Sequence, residues 1–355
     1  MKIDDAFEDW LFQEYEFNSA SWQTLYLGFL KIWTEKNYNQ QIVTGIASNA
    51  IPINKFRKIL NNLLSIEALK GFHKNEKDYV FFIKNTKLFH KNQKPDLEPE
   101  RILSGIFPYS YISHFSAMRL YGLTEIKPSA IYITVPTRPH WKEFLLADLK
   151  ENFSFYKRDN TVVVDDDIYY ESPTLKLNRV QVNKNQIFTP YPFDQIFKDL
   201  FPNQNIIIIT KKVLDDAEWW SGYHVQNISS LYLDMIKFPH YCGGLLHVIQ
   251  VMKTSLNNDI LTQILEKIEN FGTSLDRARF GFICEKLLDI QHPIISEWRT
   301  QQEGKRGSSR KLIASADFDS VFDPDWNISI NHEEVKNTYC IGAMALKLRE
   351  NNHES

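Results

Sequence analysis

Cysteine is scarce in this 355-residue chain: Cys242, Cys284 and Cys340 lie far apart, form no CxxC pair and leave an odd total. That pattern argues against a disulfide framework and a structural zinc site, and makes a reducing cytoplasm the simplest setting. Long hydrophobic runs are missing as well. The longest purely aliphatic stretch is Ile206–Ile209, far short of the ~20 residues that cross a bilayer, so no membrane partner is expected. The N-terminus MKIDDAFEDW is acidic and has neither the basic nor the apolar region of a signal peptide. None of the ten histidines forms an HxxxH or HxH pair, and no Walker-type or GxGxxG loop is present. Neither a metal nor a cofactor is expected.

What is present is an ordinary globular composition, 43% hydrophobic and 24% charged, with a high aromatic share of 14%. The length suits two or three domains with a real core. Charge is unevenly placed. Between Gln41 and Lys94 stand ten Lys/Arg (Lys55, Arg57, Lys58, Lys70, Lys74, Lys77, Lys84, Lys87, Lys91, Lys94) against Glu67, Glu76 and Asp78. That is a local +7 in a chain of net −3, so the remainder carries −10. A basic lobe on an acidic protein points to a polyanion contact, because Lys and Arg neutralising phosphates supply most sequence-independent DNA affinity.

Within that lobe the pattern is helix, helix, turn, helix, hairpin. Trp22, Leu25, Tyr26, Phe29, Leu30 and Trp33 recur at three- and four-residue spacing, one apolar stripe on a helix. Ile42, Val43, Ile46 and Ala47 predict a shorter second helix, followed by Ser48-Asn49-Ala50-Ile51-Pro52 with proline suited to a first helical turn. A third helix is predicted from about Ile53 to Leu64. Ile53, Phe56, Ile59, Leu60 and Leu63 cover one side, Asn54, Lys58, Asn61, Asn62 and Ser65 the other, and Lys55 and Arg57 the flanks. Gly71 is expected to end the helical region, and Lys74–Asp78 to separate two aromatic-rich strands. This is the winged helix-turn-helix order. On a major groove, Asn54 and Asn61 would reach adenine or backbone, and Lys55, Arg57 and Lys58 guanine edges or phosphates; Lys74 and Lys77 on the wing would touch flanking DNA. The bland alternatives are a solvated polar helix face or a winged helix that binds only protein.

The expected fold class is α+β: an N-terminal winged helix-turn-helix (1–88), a linker (89–103), a mixed α/β middle domain (104–240) and a mainly helical C-terminal region (241–355). Ile112–Leu120 reads as a helix closed by Gly122. Ala130–Val135, Thr161–Val164, Val180–Val182 and Ile206–Thr210 read as strands, and Asn227–Lys237, Gly243–Thr254, Ile260–Phe271 and Leu275–Leu288 as helices. The pair Trp219-Trp220 is expected in the core.

The string YISHFSAMRLYGLTEIKPSAIYITVP from Tyr111 resembles the AbiEi-type antitoxins, through Ile112-Ser113-His114 with Ser116-Ala117, Tyr121-Gly122-Leu123-Thr124 and Ile131-Tyr132-Ile133-Thr134-Val135. The run Leu233-Asp234-Met235-Ile236-Lys237-Phe238-Pro239-His240-Tyr241 with Gly243-Gly244 is similar to that family's D…P…GG segment. Lys305–Leu312 with Trp326–Asn331 is similar to its C-terminal signature. Position 308 is Ser where the family pattern has a second glycine, and the insert at 157–188 is long. The resemblance implies an N-terminal winged helix that represses its own operon by binding inverted repeats in the operator. It also implies a C-terminal region that neutralises a nucleotidyltransferase-like toxin, in a phage-defence system whose catalysis belongs to the partner.

Other clusters invite chemistry and lose to plainer readings. Ser113, His114 and Ser116 lack a visible orienting acid and oxyanion site, so Ser113 is read as a helix cap. Asp165-Asp166-Asp167 with Glu171 and Lys176 suggests a metal-dependent nuclease, the enzyme alternative, with Asp166 and Glu171 as ligands. Consecutive acids on a strand alternate faces, however, and a solvated loop is favoured. The same holds for Asp317, Asp319, Asp323 and Asp325. Lys305, Arg306, Arg310 and Lys311 make a basic loop suited to a phosphate or an acidic partner, or to solvent.

Overall fold

The computed structural model describes residues 1–46, 52–74, 77–84, 98–141, 143–144, 162–164, 167–171, 179–183, 201–302 and 310–341. The class is α+β. By contacts the chain forms two compact units, one of residues 1–112 and 133–225, the other of 113–132 and 226–355. Among the described residues no helix is long and apolar enough to cross a membrane.

The first unit begins with helix α1 (Ile3–Asp9), continued by a π-turn at Trp10–Glu14. Strand β1 (Ser19–Ser21) leads into helix α2 (Trp22–Glu35), where the Ser21 hydroxyl caps the Thr24 amide at 3.1 Å. The expected short second helix at 42–46 is not there. Instead β2 (Asn37–Tyr38) and β3 (Gln41–Ile42) form a two-stranded hairpin. The cause is local: Asn39 and Gln40 both have positive φ (47° and 63°), the tight-turn geometry that matches strand twist. Ile42 is 76% exposed, so it contributes little to any apolar helix face. Ala47 lies outside the described residues.

Helix α3 (Pro52–Ser65) follows the predicted span, and β4 (Leu69–Lys74) and β5 (Lys77–Ile83) pair antiparallel behind it. Gly71 sits inside β4 opposite Phe81 rather than closing the helical region. Strand β1 adds to the other edge of β5, giving the order β1-β5-β4. The core beneath is aromatic. The Phe56 ring lies 5.8 Å from Phe7, 5.3 Å from Trp22, 5.1 Å from Tyr26 and 5.4 Å from Phe29. Truncating a buried Phe at such a junction costs about 3–5 kcal/mol.

The expected linker ends inside an element. Helix α4 (Pro99–Ile106) buries Ile102, Leu103 and Ile106 and packs on β1, where the Ser19 hydroxyl donates to the Ile102 carbonyl at 2.9 Å. A five-stranded sheet completes the unit, in the order β11-β7-β6-β13-β12. Its strands are β6 (Tyr111–Ile112), β7 (Ile131–Pro136), β11 (Ile206–Lys211), β12 (Ala217–Trp220) and β13 (Tyr223–Gln226). β6 runs antiparallel to β7 and parallel to β13. Between them in sequence, β8 (Val162–Val164), β9 (Asp167–Glu171) and β10 (Arg179–Asn183) form an antiparallel meander within the long insert. Trp219 and Trp220, expected in the core, are 51% and 41% exposed on the edge strand β12.

The second unit is mainly helical. Helix α5 (His114–Leu120) is followed by Gly122 at φ +68°, and further helices span Ile228–Lys237, Leu245–Ser255, Asn258–Phe271, Ser274–Phe282 and Pro293–Thr300. A short β14–β15 pair (Phe322–Asp323, Ile328–Ser329) closes the described chain before the last helical turns.

Candidate nucleic-acid interface

Helix α3 is sharply two-sided. Phe56, Ile59, Leu60 and Leu63 are buried, while Asn54, Arg57, Lys58, Asn61, Asn62 and Ser65 are exposed. Asn54, Lys58 and Asn61 fall at i, i+4 and i+7, which puts them in one row, and Arg57 stands beside it. From Asn54 to Asn61 the helix rises about 10.5 Å, roughly three base-pair steps. Burial of Tyr26 beneath the helix holds its hydroxyl well above the ordinary value, opposed by the nearby Arg57 charge.

Lys55 is placed differently from its expected partners in binding. Its ammonium makes an ion pair with Asp4 Oδ1 of α1 at 2.5 Å, and only a quarter of its side chain is exposed. Helix α1 carries Asp4, Asp5, Glu8 and Asp9. Burial, then Asp5 and Asp4, push the Glu8 carboxyl above its usual value. Beyond α3, Lys74 and Lys77 are register partners at the tip of the β4–β5 hairpin.

In the second unit α5 and the helix Ile228–Lys237 bring His114 beside Asp234. His114 is buried at φ +50°, a backbone region rare for residues other than glycine. Its Nδ1 lies 2.9 Å from the Ser113 hydroxyl and its Nε2 3.6 Å from Asp234 Oδ2. Gln226 donates its amide to the same Asp234 oxygen at 2.7 Å, and Tyr241 meets the His114 ring edge-on at 5.4 Å. Ser113 occupies the N-cap position of α5, but its hydroxyl turns to His114 instead of capping. Sequence reading missed Asp234 as the orienting acid. All three side chains are buried, which gives a substrate no approach to Ser113, so the trio reads as a structural polar network.

The C-terminal basic residues are divided. Lys305 and Arg306 lie outside the described residues. Arg310 donates to Gln302 Oε1 (2.5 Å) and Ser274 Oγ (2.8 Å), and Lys311 donates to the Ala316 carbonyl at 2.7 Å. Both are committed to holding their own chain. Asp323, expected in solvent, is buried; it accepts from the Trp326 amide (2.8 Å) and the Tyr339 hydroxyl (2.9 Å). Burial raises its carboxyl above the ordinary value. Asp165, Asp166 and Lys176 fall outside the described residues, whereas Glu171 ends β9. Among the described residues no group of three or more His, Cys, Asp or Glu stands together where it could hold a metal ion.

No family model matches the chain, and no curated protein matches it. Among solved structures, the crystal structure of the RV2827C protein from Mycobacterium tuberculosis is similar at a TM-score of 0.37 and 10% identity, covering 92% of this chain and 88% of that one.

Proposed function

We propose that this chain is a DNA-binding autorepressor and antitoxin, docking on operator inverted repeats through an N-terminal winged helix-turn-helix. The observation that carries the reading is the exposed row Asn54, Arg57, Lys58 and Asn61 on an amphipathic helix seated on an aromatic core. Three helices (α1, α2, α3) with a three-stranded sheet and a hairpin after the last helix suit a winged helix, with Lys74 and Lys77 at the wing tip. Asn pairs with adenine edges, Arg with guanine, and Lys neutralises phosphate. The antitoxin half of the reading rests on the resemblance of the 111–135, 233–244 and 305–331 segments. Its partner is a nucleotidyltransferase-like toxin, its setting the cytoplasm.

The test is binding to a duplex from the protein's own upstream region. Lys58→Ala should lower the slope of log affinity against log salt by about 0.9, and Arg57→Ala or Asn61→Ala should cost about 1–3 kcal/mol and relax base preference. Unchanged affinity in the Arg57→Ala/Lys58→Ala/Asn61→Ala protein would remove the assignment from α3. For the antitoxin half, that triple variant should still restore growth when expressed with a neighbouring nucleotidyltransferase. Loss of rescue would show that repression and neutralisation are not separate.

A further inference from the structure

We propose that Asp4 restrains DNA affinity by holding Lys55 away from the phosphate backbone. The inference rests on α3 being the DNA-contacting helix, and it makes Asp4 a negative determinant of that site.

Lys55 lies between Asn54 and Phe56 in sequence and flanks the exposed row, so a freed lysine arm would reach toward a duplex engaged by Asn54 and Lys58. Its ammonium is instead paired with Asp4 Oδ1 at 2.5 Å. The two ends of that pair differ in freedom. Asp4 sits in the first turn of α1, and α1 is tied down at its start: the Ile3 amide donates to the Thr44 carbonyl at 2.9 Å, and the Thr44 amide to the Met1 carbonyl at 2.8 Å. The backbone that carries the carboxylate is therefore fixed, while the lysine arm can swing about four rotatable bonds. The pair is only partly exposed, with 25% of the lysine side chain and 43% of the aspartate in contact with solvent and the Asp4 Oδ1 atom itself buried. Giving the cation to a phosphate would leave that buried carboxylate oxygen without its partner, a cost that keeps the pair closed. Glu8, one helical turn on from Asp4, adds negative charge beside it, so the lysine stays with Asp4 unless Asp4 is removed.

The experiment measures affinity for the upstream duplex between 50 and 200 mM salt by fluorescence anisotropy, using the full chain. Asp4→Asn should steepen the salt slope by about 0.9, one added phosphate contact, and tighten binding roughly tenfold near 50 mM, with the gain closing as salt rises. Asp5→Asn changes net charge equally but frees no cation, and should leave the slope at the wild-type value. Asp4→Asn/Lys55→Met should return to the wild-type slope. Asp4→Glu keeps the charge and guards against a folding artefact; it too should keep the wild-type slope. An Asp4→Asn slope equal to wild type, or a double variant that keeps the steeper slope, overturns the inference while leaving DNA binding by α3 intact. A folded wild-type protein with no duplex affinity at 50 mM overturns both.

Discussion

His224 shows how one side chain ties stability to pH. Its Nδ1 lies 2.5 Å from the Ser110 carbonyl, which can only accept, so the proton sits on that nitrogen. Trp219 stacks on the ring at 4.3 Å. Burial holds its pKa below 6.5, partly opposed by the Ser110 bond, and burial shifts His247 in the same direction. Above pH 6.5 both states are neutral and the contribution to stability is complete. Below it the unfolded chain takes up protons that the folded chain refuses, so stability falls as pH drops from about 6.5 towards the depressed folded value. Thermal midpoints should therefore decline between pH 7 and pH 5.5, and His224→Gln, which keeps a donor for Ser110, should flatten that decline. An identical pH profile for the variant would remove His224 as the cause. At this scale the exposed row on α3 was legible from spacing alone, because a helix face is a local property. The Asp4–Lys55 pair and the His114–Asp234 contact were not, since their partners are brought together only by packing.

Among elements, α4 packs against the edge strand β1 of the N-terminal sheet. A Cβ on Gly105 would stand 2.4 Å from the Ser19 carbonyl and 2.5 Å from its hydroxyl, both belonging to β1. Alanine there gains about 1 kcal/mol of helix propensity, against an overpacking penalty of about 1–3 kcal/mol. The near contact is backbone and cannot rotate away, so the penalty should win. Gly105→Ala should lower the denaturant midpoint without changing the m-value; a rise in midpoint would mean that α4 yields more easily than this geometry allows. The sequence hid α4 because its apolar residues are few and follow a proline-bearing polar run that reads as linker. Helix α2, α3 and the long helices after residue 227 carry enough periods to be read directly. The expected helix is absent at 42–46 because short apolar runs can fit a turn of helix or a strand and its exit. The Asn39-Gln40 turn that decides between them has a weak sequence signature.

The whole molecule separates charge by segment and folds its segments out of order. The serial division into 1–88, 89–103, 104–240 and 241–355 assumed that neighbours in sequence pack together, yet residues 113–132 join the second unit before the chain returns to the first at 133. Short parallel pairings such as Val225 with Ile112 leave no periodic trace in sequence. One consequence concerns where the proposed DNA-binding part can be cut. A chain ending at Lys84 keeps α1 to β5 but loses the cover that α4 gives β1, including the Ser19–Ile102 bond and the Tyr15 hydroxyl on the Gly105 carbonyl. A chain ending at Ile106 keeps both and should unfold at higher denaturant than the shorter one. It retains α3 and the hairpin, hence every proposed phosphate contact, so its salt slope should equal that of the full chain. Of the −10 that opposes the +7 of residues 41–94, it sheds the −4 of residues 107–355 and keeps the −6 of residues 1–40 and 95–106. Long-range repulsion from DNA is thereby reduced, and binding at low salt should be as tight as the full chain's or tighter. A shallower slope in the fragment would place phosphate contacts beyond Ile106 and give the later segments a share in docking.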